Sequence, residues 1–77
     1  MQERIGRMSP PRTDRVEIGT AVRQNRRAAL LDQHDLADLA GISVRTLRDI
    51  ETGRGNPGVD ALLSVLSVLG LRVEVAR

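Results

Sequence analysis

Between Gln33 and Glu51 the chain reads QHDLADLAGISVRTLRDIE, and this stretch restricts the fold more than any other. Leu36, Ala37 and Ala40 recur at i, i+1 and i+4, Gly41 follows directly, and Leu47 and Ile50 recur at i, i+3. Apolar residues at such spacing share one face of a helix, and glycine just past that face suits the left-handed position that ends a helix. The stretch is therefore two short helices joined by one tight turn. Asp32 and Ser43 stand where each helix needs an N-terminal cap.

The rest of the chain must supply a core for this pair within 77 residues. A domain below about 80 residues usually needs a disulfide, a metal or a partner subunit. Cysteine is absent, which excludes disulfides and the usual zinc and thiol chemistries, and His34 is the one histidine. Oligomerisation is the support that remains. No metal and no cofactor is expected. No Phe, Trp or Tyr occurs, so the core is aliphatic, and the stacking platforms that hold single-stranded nucleic acid or RNA are missing. No apolar run approaches the ~18 residues of a membrane span and no signal peptide is visible, so a cytoplasmic protein without membrane contact is expected.

Residues 1–13, with Gly6, Ser9, Pro10 and Pro11, read as a flexible arm. Asp14 is placed to cap a helix from Arg15 to Leu30, with Glu17 completing a capping box. Val16, Ile18, Val22, Ala29 and Leu30 form its apolar stripe, and Arg23, Arg26 and Arg27 crowd its C-terminal half. The pair follows as Gln33–Ala40 and Val44–Thr52. After the turn cluster Arg54–Gly58, a nearly all-apolar helix Val59–Leu69 has more apolar surface than one protomer can cover. Leu71–Val75 alternates apolar and polar residues, the period of a half-buried strand. A lone strand needs a partner, and its own copy across a two-fold axis provides one. The expected fold is thus all-α, four helices with a short C-terminal β-strand pairing across a homodimer. It divides into an arm (1–13), a helical domain (14–70) and a dimerisation strand (71–77). Leu66 and Leu69 of the last helix, with Leu71, Val73 and Val75, are the expected dimer contacts.

All 12 cations are arginine. Residues 1–31 carry seven arginines against three acids, and residues 32–77 carry five against seven. Arginine forks suit phosphate and guanine edges, and the second helix of such a pair can enter the major groove of double-stranded DNA with its first residues at base edges. With Leu47 and Ile50 turned inward, Ser43, Val44, Arg45, Thr46, Arg48 and Asp49 are left to face outward. Arg45 is suited to a guanine, Val44 to a thymine methyl, and Ser43 or Thr46 to phosphate or base. Arg48 suits a phosphate, as does the amide of Gln33 at the start of the preceding helix, while Arg23 and Arg27 add neutralising charge. For any one of these side chains, simple solvation is the competing explanation. No glycine loop has the phosphate-loop form, and Asp35, Asp38 and Asp49 are spread along helices, so an enzyme is not expected.

The run resembles the XRE (phage-repressor-like) helix-turn-helix family. The matching positions are Gln33, Leu36-Ala37, Ala40-Gly41, Ser43, Leu47, Ile50-Glu51 and Gly53. Asn56-Pro57, the Leu-Leu-x-Val-Leu of the last helix, and Ile18-Gly19 with Val22-Arg23 fit as well. The resemblance implies a lambda-repressor-like domain, and an ion pair between Arg26 and Glu51 that sets the second helix of the motif. The ending LGLRVEV is more narrowly similar to the antitoxin-type HipB branch, in which a strand follows the fourth helix and pairs across a dimer. Three positions depart from the family: Asp32 caps where Ser or Thr is common, Leu30 stands where glycine usually ends the first helix, and Gly58 replaces a Ser cap. A left-handed Leu30 would be strained.

The function expected is a homodimeric repressor on a palindromic DNA operator. The alternative is an antitoxin that neutralises a HipA-like kinase and represses its own promoter. Only two residues follow the strand, which leaves no tail for such a toxin to grip. A helix-turn-helix used purely as a protein adaptor is a third, weaker possibility.

Overall fold

The computed structural model describes residues 12–72. Its helices are α1 (Arg12–Ala28), α2 (Gln33–Ala40), α3 (Val44–Thr52) and α4 (Val59–Val68), with no strand among the described residues. Residues 1–11 of the expected arm lie outside them, as do Val73 and Val75 of the expected strand. α1 begins inside that arm, at Arg12. Asp14 consequently sits in the first turn, where it complements the helix dipole, and is not the cap expected of it.

The four helices end alike. After α1, Leu31 N–H donates to the Arg26 carbonyl at 3.2 Å and Leu30 N–H to Arg27 at 3.0 Å. The same crossed pair of bonds recurs with Gly41 and Ile42, with Gly53 and Arg54, and with Gly70 and Leu71. This closure satisfies carbonyls that the helix itself leaves open, and it requires one left-handed residue. Gly41, Gly53 and Gly70 take it with φ of 71°, 71° and 74°, and Leu30 takes it with φ of 59°. At the other ends, Asp32 and Asp35 form a reciprocal capping box on α2, with bonds of 2.8 and 3.3 Å. Ser43 Oγ accepts from Thr46 N–H at 3.0 Å to cap α3, while Gly58 offers α4 no side-chain cap.

Val22, Leu36, Ala37, Leu47, Ile50, Val65 and Leu66 form the core, one aliphatic cluster drawn from all four helices. α1 packs chiefly on α3, and α2 on α4 and α3. Of the apolar stripe expected on α1, only Val22 is buried. Leu30 is 91% exposed, Ala29 is also exposed, and Val16 and Ile18 are largely open. The contact face is instead Gly19, Val22 and Arg26. A Cβ at Gly19 would collide with the Ile50 carbonyl and lie 2.5 Å from the Glu51 carbonyl oxygen, so glycine lets α1 touch the backbone of α3. On α4, Leu66, expected at a dimer contact, is buried in the protomer's own core. Val59, Leu63 and Val68 remain exposed there.

Candidate nucleic-acid interface

α2 and α3 share one core, and a buried ion pair ties α3 to α1. Arg26 Nε donates to Glu51 Oε2 at 2.6 Å and Nη2 to Oε1 at 3.1 Å, a two-pronged contact linking α1 to the end of α3. The remaining nitrogen of Arg26, Nη1, donates to the Leu31 carbonyl at 3.0 Å, which ties the α1–α2 turn to the same point. Arg26 and Glu51 are only 8% and 7% exposed. The hydrogen bond to Glu51 raises the Arg26 guanidinium above its ordinary value against the opposing effect of burial, and the charges of Glu51 and Asp32 add to the rise. Desolvation of both charges offsets much of their attraction, so the pair fixes geometry more than it adds net stability, although removing one partner would leave an uncompensated buried charge.

With Leu47, Ile50 and Glu51 buried, α3 turns Arg45 and Arg48 outward, both exposed. Arg45 makes no hydrogen bond or ion pair with the described residues. The other expected side chains are less free. Val44 is half-buried against the core. Ser43 Oγ caps α3 and donates to Thr46 Oγ1 at 3.0 Å, so each hydroxyl already has a partner. The Asp49 carboxylate lies against Gly55 in the α3–α4 turn, where a Cβ would approach its Oδ2 to 2.6 Å. Gln33 is half-buried and bonded to both Glu51 and Arg48.

An open depression runs between the C-terminal half of α1, the start of α2 and the outer side of α3. Arg23, Arg27, Gln33, His34, Arg48 and Thr52 line it together with the Arg26–Glu51 pair and the exposed carboxylate of Asp32. It gathers three exposed arginines against one exposed carboxylate, Asp32, which caps α2, so the arginines and not the helix end are what suit it to a phosphate. Thr52 was not singled out from the sequence. Its position one turn after Arg48 was the available signal, and its hydroxyl is bonded to the Arg48 carbonyl at 2.8 Å. Among the described residues no group of acidic, His or Cys side chains is placed to hold a metal. None of the described helices is long and apolar enough to cross a membrane.

A capped helix, a left-handed glycine turn and a second helix with an arginine-bearing outer face make a helix-turn-helix DNA-binding module. The helix-turn-helix family model matches residues 22–75, and the chain belongs to that family, in its XRE type. A protein of Sinorhizobium fredii (strain NBRC 101917 / NGR234), named uncharacterized HTH-type transcriptional regulator y4mF, is 34% identical over 59 residues. The match covers 77% of this chain and 78% of that one. Both similarities point to a non-enzymatic protein.

Proposed function

We propose that the protein is a transcriptional repressor that works in the cytoplasm as a homodimer, each protomer laying α3 in the major groove of a palindromic operator. The observation that carries this reading is the outer face of α3, where Arg45 is exposed and unengaged on a helix whose inner face is locked by Leu47, Ile50 and Glu51. The similar protein named as a transcriptional regulator agrees with it. Arg45 reads base edges, and Arg23, Arg27 and Arg48 neutralise backbone phosphates. Selection of bound sites from random duplex DNA tests the reading. It should return one palindromic consensus with half-sites about 10 base pairs apart. Arg45→Ala should lower affinity for that consensus about tenfold or more and relax preference at one base position. An undiminished preference would remove Arg45 from base readout.

The LGLRVEV ending favours a second reading, an antitoxin that binds a HipA-like kinase and represses its own promoter. Residues 73–75 of that ending lie outside the described residues, so the support for a strand there is the sequence likeness alone. Co-purification with a kinase expressed from an adjacent reading frame is its test. If the protein bound such a partner and showed no salt-dependent affinity for duplex DNA, the adaptor reading would replace both.

A further inference from the structure

Gln33 stands where three helices meet. Its Nε2 donates to Glu51 Oε1 at 3.2 Å, and its Oε1 accepts from Arg48 Nε at 3.2 Å. A carboxylate only accepts and a guanidinium only donates, so the amide has one orientation that satisfies both neighbours. Glu51 is in turn gripped by Arg26. The bonds therefore run without a break from Arg26 to Glu51 to Gln33 to Arg48, starting at a buried residue of α1 and finishing on the exposed face of α3. The end of the chain is the side chain with most to gain. An exposed arginine loses rotamer freedom when it binds a ligand, and a brace that removes that freedom beforehand lowers the cost of binding.

We infer that Gln33 is a positioning residue: it holds Arg48 ordered on the α2 side of α3, so that Arg48 is presented to a backbone phosphate. This rests on the DNA-binding reading above. A phosphate is the group indicated because Arg48 lines the same depression as Arg23 and Arg27, three exposed arginines against the single exposed carboxylate of Asp32. The sequence alone placed Gln33 as a phosphate ligand in its own right. The structure shows one N–H given to Glu51 and the carbonyl used by Arg48, which leaves a single N–H of the amide for any other acceptor.

The salt dependence of duplex-DNA affinity separates the two roles. A cation that neutralises one phosphate contributes about 0.9 to the slope of log affinity against log salt, and a neutral amide contributes nothing. Arg48→Ala should therefore flatten the slope by about 0.9. Gln33→Ala, which removes no charge, should flatten it by at least roughly half as much, because the unbraced arginine loses its phosphate contact. Each single substitution should weaken binding about fivefold, and the double substitution little more than Arg48→Ala alone. Gln33→Met, which keeps side-chain length but not the bonds, should repeat the Gln33→Ala result and guards against a folding defect in that variant. An unchanged slope in both Gln33 variants, or losses that multiply to about 25-fold in the double variant, would overturn the inference and return Gln33 to an independent contact. If the unsubstituted protein has no salt-dependent affinity for any duplex, the DNA-binding reading itself falls and takes the inference with it. That outcome is recognisable because the parent protein fails along with its variants.

Discussion

Leu30 adopts the backbone conformation that the other three helix ends give to glycine, with φ of 59°. In the left-handed region the Cβ of an L-residue crowds the following carbonyl, at a cost of about 1–2 kcal/mol. Burial does not offset it, because the side chain is 91% exposed. Glycine there would relieve the crowding but would also widen the conformational freedom of the unfolded chain, which returns about 0.4–1 kcal/mol. Leu30→Gly should therefore stabilise the protein by about 0.5–1 kcal/mol, seen as a higher urea midpoint with unchanged slope. A lower midpoint would mean that Leu30 covers apolar surface in an assembly. The tension at this position is implied by the family resemblance, in which glycine usually ends the first helix, while apolar periodicity alone carries the helix through Leu30. Gly19 was not legible in the same way. Its need comes from the carbonyls of Ile50 and Glu51, more than 30 positions away in the chain.

At the scale of elements, α1 shows where periodic reading fails. Apolar periodicity points to Val16, Ile18, Val22, Ala29 and Leu30. The face that packs on α3 consists of a glycine, a valine and an arginine, and only the valine registers as apolar. Arg26 is buried because Glu51 meets it there, a pairing implied by family resemblance and not by hydropathy. Arg26→Ala should cost about 3 kcal/mol, since Glu51 would be left charged and buried. The same substitution should weaken DNA binding more than the loss of a remote charge would, because Glu51 is also an anchor for Gln33. Calorimetry and DNA titration on one preparation check both, and an unaltered thermal midpoint would show that the pair does not hold α3. The raised pKa of Arg26 means that its contribution is complete at every pH below the ordinary arginine range and is lost only as pH rises beyond the raised value, in strong alkali. No loss of stability near neutrality should be traced to this arginine.

For the whole molecule, the question is how a 77-residue chain without cysteine or aromatic residues is stabilised. Seven buried aliphatic residues form the core, and Val59, Leu63 and Val68 stay exposed on α4 at 71%, 48% and 38%. Burying a side chain of this kind fully contributes about 1.5–3 kcal/mol, so covering Val59 and Leu63, which share one side of α4, in the proposed homodimer would be a substantial gain for a small domain. The proposal predicts that folding and association are linked. A hundredfold rise in protein concentration should raise the thermal midpoint on the order of 5–10 °C, with sedimentation giving twice the chain mass. A midpoint independent of concentration would identify a monomer in solution and direct attention to a different cover for α4.

The sequence by itself determined the α2–turn–α3 unit, its caps, the glycines that end its helices and its inward residues Leu36, Ala37, Leu47 and Ile50. These are local matters, set by helical period, by side chains that satisfy open N–H groups within three or four residues, and by the left-handed freedom of glycine. The tertiary structure decided which face of α1 is buried, that Leu66 belongs to the core, and that Gln33 links Glu51 to Arg48. Each depends on atoms brought together from distant parts of the chain, where a hydrogen bond or a close backbone approach outweighs the hydrophobic pattern that a linear reading can detect.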